Sequence, residues 1–497
     1  MMRMKKYVVA IDQSTSASKV FLLNQDGDIV RRYAKNHQQF YPYPGFVEHD
    51  ASEIWQNVRE GVAEMTDGLP TGSIAALAIS NQRETTVLWD RETGEPLCRA
   101  VVWQDVRAED FCNGLKTHAD TVRAKTGLAL SAYYPAAKAA SVLLAQPELA
   151  RRAAAGGLCT GTVDSYLIYR LTEGRTFATD VSNASRTQLM ALSSLDWDDE
   201  LLSIFGIHKG CLPKILLSDG HFGVTMATGL PQGIPITGVM GDSHAALFGQ
   251  GCLSDGMVKA TYGTGSSVMM NVGLSPIFSA NGLSASVGFG FNGQTCYVLE
   301  GNVTCSGDTL CWLRDEVGLV PGIAAVEPLA AGVADTGGVY LVPAFSGLGA
   351  PYFDSRAQAL LCGMNRGTTK AHIVRAALES MAYQDADVIL AMRRDTGEKL
   401  HELRADGGPT RNALLMQFQS DLLDCNVRCS VQSELSALGA GYLAGISAGV
   451  YESLDAIPAA CRPGAVYAPQ MSEAARKSAL DGWHAAVERC RQIIESN

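Results

Sequence analysis

Two stretches of this chain repeat one design: a short apolar strand, a tight loop of small residues rich in hydroxyls, and a returning strand. Residues 7–11 (YVVAI) and 19–23 flank Asp12-Gln13-Ser14-Thr15-Ser16-Ala17. Residues 257–262 and 267–271 flank Gly263-Thr264-Gly265-Ser266. Runs of β-branched and aromatic residues of this length read as buried strands. The Asp-Gly signal within 24–28 predicts a turn into a third strand, so the first copy is a meander. Residues 235–240 form a further strand ending in Gly241-Asp242, followed by a helix start at 243–249. Residues 402–405 form another, followed by the turn Asp406-Gly407-Gly408 and a helix over 410–423 with Leu414, Leu415, Phe418 and Leu422 on its apolar face. One hairpin per half predicts a duplicated α/β fold with a cleft between the halves, and ligand sites of α/β sheets lie at such loop ends.

At 497 residues the chain exceeds one ordinary core, so two or three domains are expected. The division falls near Cys252, giving domains 1–252 and 253–497. No low-complexity linker marks it, so the halves are expected to share an extensive contact. The formal net charge of -11, with no basic run, argues against a nucleic-acid surface. Thirteen cysteines lack any C-x-x-C pair, which points to reduced thiols in a cytoplasm and not to a disulfide framework or zinc ribbon. No H-E-x-x-H occurs among the dispersed histidines. The start MMRMKKYVVAID has too short an apolar core for a signal peptide, and no stretch approaches the ~18–20 apolar residues of a spanning helix. No membrane insertion is expected.

The loops around Thr15, Thr264 and Gly408 share one chemistry, since small residues let backbone N–H groups approach phosphate oxygens and hydroxyls add donors. Any one alone reads as an ordinary turn; three, each after a strand, point to a phosphate cradle. Gly288 to Gly293 fits G-x-G-x-x-G but precedes a strand-like stretch instead of opening a helix, and Gly445 to Gly449 fits G-x-S-x-G inside a small-residue helical stretch. Both are set aside, and no G-x-x-x-x-G-K-[ST] loop exists. Arg83-Glu84, after an apolar strand at 75–79, offers a donor beside an acceptor, as a polyol requires, or else a surface ion pair. Trp103 reads as core or as a ligand wall. Asp242 reads as a helix N-cap or as a general base facing the cleft.

Together these segments resemble the FGGY carbohydrate kinases, in their glycerol kinase-like branch, nearly end to end. The carrying stretches are AIDQSTSASK, YPGFVEHD, ISNQRETT, VVWQ, GTVDSYLI, TDVSNASRT, GDSHAALFGQ, TYGTG, LEG, WLRDE, VPAFSGLGAPYFD, DGGPTRN and LMQFQSD. The resemblance implies two actin-like (ribonuclease H-like) domains closing on ATP, Mg2+ and a small polyol or sugar acceptor, with a homodimer or homotetramer left open. It makes Asp242 the base that takes the hydroxyl proton, and Arg83, Glu84, Trp103 and Tyr133 the acceptor pocket, with Ser243 beside them. Asp12, with Asp242, is implied to hold the metal. Thr15, Ser16 and Lys19 are implied to form the first phosphate loop, and Thr264, Gly307, Cys311, Gly408 and Asn412 the second-domain contacts to nucleotide.

Departures from the family pattern bear on the acceptor. Ser14, Ser16 and Lys19 replace glycine, threonine and arginine in the first loop, and Lys19 keeps the charge but loses the planar fork. Ser243 and His244 follow the base where glutamines are usual. Ser266-Ser267 replace a cysteine-phenylalanine pair whose ring packs on the glycerol carbons, and Cys311 replaces a glutamine on the adenine side. Phe to Ser at 267 leaves room and adds a hydroxyl, so an acceptor longer or more hydroxylated than glycerol is expected: a tetritol, pentitol or ketose. Glycerol itself is the alternative, and an actin-like ATP-dependent binding protein the non-enzyme one.

Overall fold

The computed structural model describes residues 6–460, 462 and 464–492, so the basic start at 1–5 lies outside the described residues. Both expected meanders form. In the first half, β1 (Tyr7–Gln13), β2 (Ala17–Leu23), β3 (Ile29–Asn36), β4 (Ile74–Asn81) and β5 (Ile236–Gly241) make one sheet in the order β5-β4-β1-β2-β3. The hairpin strands β1 and β2 pair antiparallel, as do β2 and β3, whereas β4 joins β1 and β5 joins β4 in parallel. Residue type sets the position of each strand. The sequence YVVAIDQ is buried on both faces and runs centrally, while IVRRYAKN alternates and takes the edge.

The second half repeats this plan. Its strands are β6 (Val258–Tyr262), β7 (Ser266–Gly273), β8 (Ser284–Phe291), β9 (Gln294–Val303), β10 (Glu402–Gly407), β11 (Asn426–Cys429) and β12 (Val466–Tyr467), in the order β8-β9-β7-β6-β10-β11-β12. The core order β9-β7-β6-β10-β11 matches β3-β2-β1-β4-β5, with an antiparallel hairpin and parallel strands beyond it in both halves. The chain therefore folds as the expected pair of actin-like α/β lobes. The Gly288 to Gly293 match lies along β8 and its hairpin turn, which bears out setting it aside.

α1 (Ala51–Thr66) is N-capped by Asp50, whose carboxylate accepts from Ser52 N–H at 2.8 Å. α2 (Asp242–Gly249) begins directly after β5. α3 (Ala413–Leu423) starts later than the expected 410, because Pro409 and Thr410 lie in a 3-10 turn and Asn412 caps it, accepting from Leu415 N–H at 2.9 Å. The small-residue helix α4 (Leu435–Ser447), whose C-terminal end holds the start of the rejected G-x-S-x-G match, lies between β11 and β12 of the second sheet in sequence yet packs on the first sheet and α2. Gly439 permits this, since a Cβ there would strike the Ala245 carbonyl.

One apolar cluster joins Val8, Ala10 and Phe21 of the first sheet to Leu247 and Phe248 of α2, Met269, Phe289 and Val298 of the second sheet, and Leu438 of α4. The halves thus share a core, as the missing linker suggests. Every cysteine among the described residues is a free thiol, and no helix among them is long and apolar enough to cross a membrane.

Candidate active site

The first loop places Asp12 near the end of β1, 5% exposed, where its Oδ1 accepts from the Ser80 hydroxyl at 3.2 Å. Burial pushes this carboxyl up to about 6; Lys19, with Nζ 3.8 Å away, pulls it down, while the negative charges of Asp242 and Glu434 push it further up. Beyond it the chain turns through Ser14 N–H to the Ala17 carbonyl at 3.0 Å. Gln39 donates to the Thr15 carbonyl at 2.7 Å, and Ser16 is exposed. Lys19 does not point freely into the loop: its Nζ donates to Glu434 at 2.7 Å, a residue just before α4.

Arg83 and Glu84 follow β4, and Asp242 opens α2. The cap of that helix is Gly241, so Asp242 is its first helical residue and not the N-cap. A side chain at 241 would meet Arg83 Cγ at 2.5 Å, so glycine is what lets Arg83 pass over the helix start. Asp242 Oδ1 accepts from Ser243 N–H at 2.6 Å and stands 3.4 Å from Arg83 Nε. Its side chain is 38% exposed, enough to meet a small molecule from the cleft. Burial of the carboxyl raises its pKa, Arg83 opposes this, and the Glu84 charge adds to it. A carboxylate raised in this way is a better proton acceptor than a free surface one. Trp103 and Tyr133 stand edge to face at 5.9 Å between ring centroids and form an aromatic wall, which settles Trp103 as half-buried instead of core.

Two residues to which the sequence reading gave no role hold this group together. Arg83 makes a two-pronged contact with Glu300 of β9 at 2.9 and 2.7 Å. Arg186 donates through Nε to Glu84 at 2.7 Å and reaches Glu300 with NH1 at 2.9 Å. Both sit in stretches that carry the resemblance, LEG and TDVSNASRT, which is the only signal that marked them. His244 is buried beside them, its Nε2 3.4 Å from the Ser286 hydroxyl, and burial among the arginines holds its pKa well below the usual range, so the ring is neutral. Across the cleft, the buried Lys259 of β6 donates to Ser267 and Thr261, both at 3.2 Å. Ser243 and Ser267 are half-buried.

On the second lobe a cavity of about 600 Å³ is lined by Thr264, Gly307, Cys311, Gly408 and Asn412, all five expected nucleotide contacts. Leu310, Ile323 and Val326 give it an apolar wall suited to a flat base. Gly307 is required by close approach, for a Cβ would lie 2.6 Å from the Gly263 carbonyl. The N–H groups of Ala413 and Leu414 at the start of α3 are already taken by Glu327 at 2.9 and 3.3 Å.

Among the described residues no cluster of three or more His, Cys, Asp or Glu side chains forms a closed metal cage. Asp12 and Asp242, which feel each other's charge, suit magnesium nonetheless. That ion keeps several waters and takes one or two carboxylates plus substrate phosphates, and the Lys19 charge nearest Asp12 is shared with Glu434.

A family model described as the FGGY family of carbohydrate kinases, N-terminal domain, matches residues 7–249, and its C-terminal domain counterpart matches residues 258–448. Among curated relatives, glycerol kinase of Burkholderia pseudomallei (strain K96243) is 45% identical over 490 residues, and that of Dechloromonas aromatica (strain RCB) is 47% identical over 491 residues, each covering 98% of both chains. Among solved structures, Plasmodium falciparum glycerol kinase with ADP superposes at a TM-score of 0.94 with 35% identity over 98% of both chains. A ligand-bound xylulose kinase from Lactobacillus acidophilus, at 22% identity over 99% of both chains and a TM-score of 0.87, shares the fold.

Proposed function

The chain belongs to the FGGY family of carbohydrate kinases and is an ATP-dependent alcohol kinase, and from that premise we propose that it phosphorylates a terminal hydroxyl of glycerol. The alternative of an ATP-dependent binding protein gives way to this family membership. The observation that carries the glycerol reading is the grouping of Arg83 with Glu84 and Asp242, and of Tyr133, which feels the Arg83 and Glu84 charges, with Trp103, in a chain 45–47% identical from end to end to two enzymes named glycerol kinase.

In this reading Arg83 and Glu84 orient adjacent hydroxyls, and the Trp103–Tyr133 wall covers the carbon chain. ATP occupies the second-lobe cavity, its phosphates facing Thr264 and the Thr15 loop. The acceptor oxygen forms a bond to the γ-phosphorus as the bond to the β,γ-bridging oxygen breaks, ADP leaves, and the hydroxyl proton passes to Asp242. A carboxylate placed in this way contributes about 10²–10⁴-fold. Asp12 and Asp242 would hold magnesium, which would supply neutralisation of phosphate charge.

A second reading, the larger acceptor, rests on Ser267. Its hydroxyl, 3.2 Å from Lys259, stands where the family pattern carries a phenylalanine, and a polar pair there favours a substrate with another hydroxyl. Coupled ADP-release assays of the purified enzyme across C3 to C6 polyols and ketoses decide between them. Glycerol is expected to give the highest kcat/KM; a tetritol, pentitol or ketose ahead of it by tenfold or more would overturn the glycerol reading, and no polyol-dependent release at all would overturn both.

A further inference from the structure

Arg83, Glu84, Arg186 and Glu300 form a closed square of charge sealed from water, with side chains 5%, 3%, 1% and 1% exposed. Three of the four belong to the first lobe, and Glu300 comes from the second. We propose that Glu300 is a positioning residue for the phosphoryl acceptor, fixing Arg83 and Arg186 so that Arg83 Nε and the Glu84 carboxylate face the bound alcohol and Asp242. This inference rests on the assignment of those residues to the acceptor.

The geometry constrains each group in turn. Glu300 takes NH1 and NH2 of Arg83, at 2.9 and 2.7 Å, in the planar two-point contact that only a guanidinium makes with a carboxylate. Rotation of the guanidinium is thereby blocked. What remains of Arg83 for the cleft is its Nε edge, 3.4 Å from Asp242 and 3.7 Å from Glu84. The same Glu300 carboxylate holds Arg186, whose Nε fixes Glu84 through Oε1 and so sets the plane of that carboxylate. Without Glu300, two buried guanidinium groups would be left with Glu84 and the partly exposed Asp242, and would pull both from the acceptor.

The groups packed around the square do not replace Glu300. His244 is held neutral by its burial, and Lys259 adds positive charge from β6. Tyr134 offers Arg186 only its ring face, at 5.3 Å. Because Glu300 stands in β9 with its neighbours paired to β7 and β8, its position is that of the second lobe. The acceptor pocket is therefore complete only while the two lobes are docked, which places acceptor affinity under the control of a residue expected to belong to the nucleotide-binding lobe.

Glu300→Asp keeps the charge but withdraws it by one methylene, and Glu300→Gln keeps the shape without the charge. Both are assayed by coupled ADP release with the polyol that wild type turns over best, alongside thermal melting. Glu300→Asp is expected to raise KM for the acceptor about tenfold or more, with KM for ATP within about twofold of wild type and the melting temperature nearly unchanged. Glu300→Gln is expected to raise it further, and if that variant does not fold, Glu300→Asp decides alone. A merely structural role would lower the active fraction, hence kcat, at unchanged acceptor KM. Wild-type acceptor KM in Glu300→Asp overturns this inference and leaves the proposed reaction standing; absence of polyol-dependent turnover in wild type removes both.

Discussion

The indole Nε1 of Trp103 donates to the hydroxyl of Thr15 at 2.9 Å, tying the proposed acceptor wall to the proposed phosphate loop. Acceptor and phosphate subsites are thus not independent: a shift of the loop moves the ring that faces Tyr133. Trp103→Phe retains an aromatic wall but loses this bond, whose net worth is about 1 kcal/mol. Steady-state kinetics are expected to show a three- to tenfold loss in kcat/KM for the acceptor together with a raised KM for ATP. A variant in which only the acceptor term moves would show that the bond does not couple the two subsites.

Asp242 combines a raised carboxyl pKa with access from the cleft, which is what a proton acceptor needs. Asp242→Asn preserves the contact from Ser243 N–H and removes the basicity. The variant is expected to melt near the wild-type temperature, bind a nucleotide in calorimetry, and lose about 10²–10⁴-fold in kcat. Wild-type turnover would take Asp242 out of the mechanism.

What could be read in the chain and what could not divides along sequence separation. The hairpins around Thr15 and Thr264 were legible because a strand, a tight loop and a returning strand are local events written in adjacent residues. The acceptor residues became legible only through the resemblance, since Arg83 next to Glu84 is equally a surface pair. The partners that fix them were not legible: Arg83 and Glu300 lie 217 residues apart, and a glutamate inside a strand carries no local mark of a buried partner. The return of α4 to the first sheet is hidden in the same way, as is the contact of Lys19 with Glu434 at a separation of 415. The helix expected over 410–423 begins instead at Ala413, because Asn412 caps it after the Pro409 turn.

Ser267 is the residue through which acceptor length is best probed. Ser267→Phe fills the space beside Lys259 with apolar area and removes one of the two hydroxyl partners of that ammonium. A side-chain change of this kind shifts discrimination by about 1–3 kcal/mol in a small pocket. Expected is a fall of tenfold or more in kcat/KM for tetritols and pentitols relative to glycerol, with a modest loss of thermal stability from the lysine. An unchanged ratio across the C3 to C6 series would place Ser267 outside the acceptor pocket.

Beneath the second phosphate hairpin lies Asp385, fully buried, with no donor reaching either carboxyl oxygen. The hydroxyls of Tyr262 and Ser266 stand beside it, but Tyr262 donates to Gln419 at 2.8 Å and Ser266 to Ser306 at 2.9 Å. Burial pushes its pKa up to about 7 from an ordinary 3.8, against the smaller downward pull of those two hydroxyls and of Lys259. The folded protein then binds a proton that the unfolded chain releases near pH 4, so this contribution to stability is complete below that pH and is lost as pH rises through about 7. At about 1.4 kcal/mol per unit, the loss is at most about 4 kcal/mol. Glu379, raised to about 7, and Asp12, raised to about 6, add to the same slope. Asp385→Asn removes the titration while keeping the shape, so its melting temperature is expected to fall less than that of wild type between pH 6 and 8.5. KM for ATP, through the Tyr262–Thr264 hairpin, is expected to follow the same trend. Parallel melting curves for the two proteins across that range would show that Asp385 stays ionised in the fold.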